Sequence, residues 1–329
     1  MWCYLRGVRG LIFGYVICGL AACAETPSDY RDAPRSFDDS TSEAPVCDGD
    51  CASDPSTDAL FASPLADQMQ AQEVFVDTVH RHGDDTVTVP LLFYAPDHPV
   101  AAVILFAGSN GLLELSSAGV GEGAKNFVVR TRKLYAAENM CTVLVDAPSD
   151  HPNGLGNGYR TGATEAKDIA PVIAYVQQHC AGVPIWLVGT SRGTISIANV
   201  AARLSDGIAG LILTSSITVD PDAGTSKPEM ATLYDVPLHT IALPIQLMHH
   251  HDDACPASPF GGGGHDKFTG VDNLMNHFTS AAPTALDPVS ASIAGGSDSP
   301  CGPVSYHGYW QLDDDADVVP AIVQFIDPS

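Results

Sequence analysis

The chain has 329 residues, 39 of them acidic and 15 basic, for a formal net charge of −24. So acidic a surface excludes a nucleic-acid-binding role and electrostatic attachment to anionic membranes. Hydrophobic residues make up 45% of the chain, and the roughly 260 residues left after the N-terminal segments suffice for one large core.

Residues 1–22 read as an export signal. Arg6 and Arg9 supply the positive start, and residues 11–20 form an apolar run too short to anchor stably in a bilayer. Leu20-Ala21-Ala22-Cys23 resembles the lipobox of bacterial lipoproteins, in which cleavage leaves the cysteine as a lipidated N-terminus. The resemblance implies membrane attachment through a lipid on Cys23, with an ordinary signal cut near Ala22 or Ala24 as the alternative. Ala24 stands where an aspartate often means inner-membrane retention, so the expectation is an outer-membrane or cell-surface lipoprotein, periplasmic or extracellular. Residues 23–70 hold eleven acidic residues against Arg31 and Arg35, among many Ser, Thr, Pro and Ala. Such a stretch cannot bury enough apolar surface to offset its ordering entropy, and it reads as an acidic disordered linker.

From residue 71 onward the pattern changes. Strands are expected at 73–79, 86–94, 102–106, 142–146, 185–188, 210–214, 245–249 and 289–293. Several are continuous apolar runs, as for parallel strands buried on both faces. Helices are expected at 123–138, 164–180, 192–204, 272–278 and 313–326. The alternation predicts an α/β domain over 71–329, with a mostly parallel eight-stranded sheet flanked by helices. Its functional residues would lie at the carboxyl ends of the strands.

The strand at 185–188 runs into Gly189-Thr190-Ser191-Arg192-Gly193, a G-x-S-x-G pattern set between a strand and a helix. A serine at the tip of such a turn needs small neighbours, because larger ones would clash with the adjoining strand and helix. The helix start beneath it favours developing negative charge. A lone serine is a poor nucleophile and needs a base, itself oriented by a carboxylate. The strand at 245–249 runs into His249-His250-His251-Asp252-Asp253-Ala254-Cys255-Pro256, and Ser305-Tyr306-His307-Gly308-Tyr309 precedes the last helix. The chain order is then Ser191, Asp253 or Asp252, and His307.

On these motifs the chain resembles the α/β-hydrolase superfamily of serine hydrolases from about residue 72 to its end. Members often place the acid in a D-x-x-P turn, which Asp253-Ala254-Cys255-Pro256 fits, favouring Asp253 over Asp252. The histidine typically precedes a glycine and a terminal helix, as His307-Gly308 does. The resemblance implies a Ser191-His307-Asp253 triad cleaving a small-molecule carboxylic ester through an acyl-enzyme. It also implies an oxyanion hole from the backbone N–H groups of Arg192 and Ser109, with Asn110 the alternative to Ser109. Gly108-Ser109-Asn110-Gly111 departs from the HGGG form of that loop. No cofactor or metal is implied, and a monomer is expected. A peptidase or amidase would use the same triad, and a non-catalytic, surface-anchored binding protein on this scaffold is the rival of another class.

The run His249-His250-His251 does not read as a metal site, because consecutive strand residues face opposite sides. Arg160 and Asp168 read as a structural ion pair, and the Arg192 side chain as capping or packing the nucleophile helix. Beyond the signal and Cys23 six cysteines remain, an even count that suits an oxidising compartment. The expected pairs are Cys47–Cys51, Cys141–Cys180 and Cys255–Cys301. The connection 219–243 leaves room for only a small lid. The Gly- and Pro-rich stretch 257–302, with its glycines at 261–264, is expected to cover one side of the pocket.

Overall fold

The computed structural model describes residues 71–328 apart from 181, 226–229, 259–273, 282–283, 290–298 and 311–317. The signal, Cys23, the acidic linker with Cys47 and Cys51, and the glycines at 261–264 lie outside the described residues.

Eight strands form one sheet: β1 (Gln72–His82), β2 (Asp85–Tyr94), β3 (Ala101–Phe106), β4 (Met140–Val145), β5 (Ile185–Thr190), β6 (Gly210–Thr214), β7 (Ile245–His250) and β8 (Thr284–Val289). Their order is β1-β2-β4-β3-β5-β6-β7-β8. β1 and β2 run antiparallel to their neighbours, and every pair from β4 to β8 is parallel. This is the α/β-hydrolase sheet, and it puts the ends of β3, β5, β7 and β8 along one rim.

The runs β3 to β7 are buried throughout, because helices cover both faces. Alternate strand residues feed two cores. Ile104, Val143, Leu187, Leu213 and Leu247 pack with α4 (Ala163–His179) and α5 (Gly193–Arg203). Val103, Leu144, Val188, Ile212 and Met248 pack on the other side, against α1 (Phe127–Arg130), α2 (Arg132–Ala137) and α6 (Val318–Ile326).

One expectation changes, and two elements lie where none was read. The helix expected at 123–138 is two short helices. Gly123 takes φ +68, and residues 123–126 form a turn closed by Asn126 N–H to Gly123 O at 2.8 Å. At the junction, the Thr131 hydroxyl donates to Phe127 O at 2.7 Å, a local bond that competes with the helix ladder. Beyond Val289 the strand expected at 289–293 lies outside the described residues, and β8, at Thr284–Val289, closes the described sheet in a stretch given no element from sequence. Asp287 and Pro288 weaken its strand signal, but as an edge strand it can spare the N–H that proline lacks. A short helix, α3 (Asn157–Arg160), occupies a stretch to which no element was assigned from sequence. Among the described residues no helix is long and apolar enough to cross a membrane.

Candidate active site

β5 ends in a sharp turn at Ser191, which takes φ +53, in the left-handed region that costs a non-glycine residue energy. The turn is held by Ser191 N–H donating to Thr214 O at 3.0 Å. Both flanking glycines are required by close approach. A Cβ on Gly189 would lie 2.6 Å from Gly193 O, and one on Gly193 would strike Phe106 O at the end of β3.

His307 sits in a single 3-10 turn, Tyr306–Gly308, after β8. The turn is fastened from three elements. The Ser215 hydroxyl, after β6, donates to His307 O at 2.7 Å. Arg130 Nη2, on α1, donates to Gly308 O at 2.8 Å and Tyr309 O at 3.2 Å. The Tyr309 hydroxyl donates to Met248 O of β7 at 2.6 Å. So held, His307 Nε2 lies 3.0 Å from Ser191 Oγ, and Nδ1 lies 2.8 Å from Asp253 Oδ2.

Asp253 is 1% exposed and His307 3%. Burial raises the Asp253 carboxyl, but the charge and hydrogen bond of His307, with the Cys255 N–H and Ser258, outweigh it and hold it below the ordinary carboxylate range. Asp252 is exposed, next to His251 at 3.4 Å, and plays no part in this contact. Tertiary burial thus separates two adjacent aspartates.

Beyond β3, Gly108 to Gly111 form a turn closed by Gly111 N–H to Gly108 O at 3.1 Å, with Ser109 at φ +53. The turn presses on the nucleophile: a Cβ on Gly108 would lie 2.8 Å from Ser191 Cβ. Arg192 holds the N-cap position of α5, where helix geometry supplies no acceptor for the first N–H groups. The Asn110 carbonyl accepts Leu155 N–H at 2.6 Å. A cavity of about 380 Å³ opens beside the turn, lined by Gly108, Ser109, Asn110, Glu114, Glu122 and Asn126. The loop below it is pinned by Asp146 at the end of β4, which accepts Leu113 N–H at 2.7 Å and Leu115 N–H at 2.9 Å.

The three histidines at the end of β7, His249 and His250 within it and His251 just after, enter separate surroundings. His249 is fully buried, and desolvation first, with repulsion from His307, pushes it down to about 3 despite the attraction of Asp253. Burial thus favours its neutral form. His250 stacks on Tyr306 at 4.4 Å between centroids, and His251 lies beside Asp252. Among the described residues no group of three His, Cys, Asp or Glu side chains is placed to hold a metal.

The expected Arg160–Asp168 ion pair does not form. Asp168 instead accepts the Tyr159 hydroxyl at 3.1 Å and lies 3.4 Å from His80. Arg160 is 1% exposed and turns towards backbone carbonyls. Sequence reasoning also missed Arg130, whose carbonyl partner lies 178 residues away and leaves no local signal. Two of the expected disulfides are present, Cys141–Cys180 and Cys255–Cys301.

No protein-family model and no curated protein matches the chain. Among solved structures, an esterase of Pyrococcus furiosus is similar at 14% identity and TM-score 0.48, covering 70% of this chain and 86% of its own. A predicted CIB-like hydrolase of Thermoplasma acidophilum is similar at 13% identity and TM-score 0.47, covering 79% of this chain and 100% of its own. A serine hydrolase without a lid from Xanthomonas campestris is similar at 15% identity and TM-score 0.44, covering 78% and 93%. The α/β-hydrolase fold of this chain is carried by its own strand order and by the strand–turn–helix at Ser191.

Proposed function

We propose that this protein is an exported serine hydrolase that cleaves small-molecule carboxylic esters. The carrying observation is the relay of two contacts, Ser191 Oγ to His307 Nε2 at 3.0 Å and His307 Nδ1 to Asp253 Oδ2 at 2.8 Å. Ser191 Oγ attacks the ester carbonyl while His307 Nε2 takes its proton. The carbonyl oxygen becomes an oxyanion held by the N–H groups of Arg192 and Ser109. The tetrahedral adduct collapses, the alkoxide leaves with the proton from His307, and an acyl-Ser191 remains. Water repeats both steps and releases the acid. Asp253 keeps the imidazole in the tautomer with Nδ1–H and stabilises the imidazolium.

Export and a lipid on Cys23 are part of the same reading. The N-terminal sequence supports them, and the two disulfides suit an oxidising compartment. Alkyne-palmitate incorporated in a bacterial host, and lost in Cys23→Ala, is the expected result; unaltered labelling overturns the anchor.

The hydrolase reading is tested with a fluorophosphonate, whose phosphorus Ser191 attacks with loss of fluoride. Intact mass should show one adduct on the wild type and none on Ser191→Ala, and a p-nitrophenyl ester should turn over faster than the matched anilide. No adduct on folded, disulfide-intact protein overturns the reading. Preference for the anilide moves it to an amidase.

A further inference from the structure

We propose that Arg160 is the positioning residue of the oxyanion hole, clamping both donor loops with one guanidinium. This rests on the hydrolase reading above. Arg160 Nη2 donates to Ala107 O at 3.4 Å and to Ser109 O at 3.3 Å. Nη1 donates to Arg192 O at 3.3 Å and to Ser196 Oγ, on α5, at 2.7 Å.

The arithmetic of the peptide units gives these bonds their meaning. The Ser109 N–H belongs to the peptide between residues 108 and 109. The peptides on either side of it carry the Ala107 and Ser109 carbonyls, and one nitrogen of Arg160 holds both. The Arg192 N–H belongs to the peptide just before the one whose carbonyl Nη1 holds. Fixing a carbonyl fixes its peptide plane. The two N–H vectors that must converge on one oxygen are therefore referred to a single rigid, planar group. Lysine has no such fork.

The fold makes room for this at a cost. Arg160 lies fully inside, and burial lowers its guanidinium to about 10, against the pull of Glu165, so it remains charged at neutral pH. Gly111 takes φ +69, and a Cβ there would lie 2.7 Å from Arg160 Nη2, so the turn after β3 is shaped around the guanidinium. Ser196 bridges Arg160 to Glu165, which Asn199 also holds, Nδ2 to Oε2, at 3.1 Å. A buried cation whose Nη1 and Nη2 are held by carbonyls of the two site loops and by Ser196, rather than by a carboxylate in direct contact, and whose buried Nε has no partner among the described residues, is an expensive choice for stability alone.

The test uses the full disulfide-intact chain and two variants, Arg160→Lys and Ser196→Ala, each normalised by fluorophosphonate titration of Ser191. Three quantities are read: kcat and KM on a p-nitrophenyl ester, and the inhibition constant of an alkyl trifluoromethyl ketone, whose adduct on Ser191 carries the oxyanion. Arg160→Lys should lower kcat about tenfold to a hundredfold, as misplacement of a preorganised site does. KM should stay within about twofold, and the ketone should weaken by the same factor as kcat/KM. Ser196→Ala removes one bond without unburying the charge and should show the same pattern at several-fold; it decides the matter if Arg160→Lys does not fold. A folded variant that keeps kcat and the ketone constant overturns the clamp while leaving the hydrolase reading intact. A wild type that neither turns over ester nor takes the label overturns both.

Discussion

Cys255 and Cys301 are joined by a disulfide that lies two residues after Asp253 and six before His307. Cys255 is fully buried and its N–H donates to Asp253 Oδ1 at 2.9 Å. The covalent tie therefore links the turn that carries the acid to the turn that carries the base.

Cys255→Ser/Cys301→Ser should lower kcat about tenfold through loss of the Asp253–His307 register, beside a loss of about 2–4 kcal/mol of stability. Cys141→Ser/Cys180→Ser should lose similar stability, because its sequence separation is 39 against 46, but should keep kcat. Chemical unfolding and ester turnover on titrated enzyme separate the two effects. Equal kcat in both variants would show that the Cys255–Cys301 tie serves stability only.

Asp253→Asn should lower kcat about 10⁴-fold with KM little changed, since the amide cannot hold the Nδ1–H tautomer or offset the imidazolium. Asp252→Asn should leave kcat within about twofold, because that carboxylate is exposed and turned towards His251. Steady-state kinetics on both variants checks the pair, and the reverse pattern would reassign the acid.

Gly193→Ala should abolish fluorophosphonate labelling and lower stability by about 1–3 kcal/mol, because the new methyl is driven into Phe106 O and the turn must open. Gly156→Ala, where a Cβ meets nothing within 4 Å, should label normally. Labelling of Gly193→Ala at the wild-type rate would show that the elbow tolerates a side chain.

Glu165 is raised from 4.5 to about 7, first by burial and then by Asp168, against the pull of Arg160, Ser196 and Asn199. A carboxyl raised in the folded state binds its proton more tightly there than in the unfolded chain. Its contribution is present below the unfolded value and is lost as pH rises through the folded one. Between pH 4.5 and 7 the wild type should therefore lose about 3 kcal/mol relative to Glu165→Gln. Denaturant midpoints of both proteins across that window check it, and parallel curves would mean that the carboxyl titrates normally.

Some of this protein was legible from sequence alone. The runs at β3 to β7 are apolar without interruption because both faces are covered, and that pattern needs no knowledge of the partner. Gly189, Ser191 and Gly193 form a local signal because the strain they relieve is local. The order of Ser191, Asp253 and His307 along the chain nominated three residues that the fold joins through His307, at 3.0 Å to Ser191 and 2.8 Å to Asp253. Tertiary structure decided the rest. Asp252 and Asp253 are chemically identical; the D-x-x-P turn favours Asp253 only by resemblance, and burial against His307 is the physical difference between them. β8 was not legible because it contains Asp287 and Pro288, which strand propensity penalises and which a strand at the end of the described sheet accepts. Arg160 read as half of an ion pair because a charge suggests an opposite charge. Its actual partners are the Ser196 hydroxyl and three backbone carbonyls, and since every residue carries a carbonyl nothing in the sequence marks these; only the folded chain brings the turns at Ser109 and Arg192 to the same guanidinium.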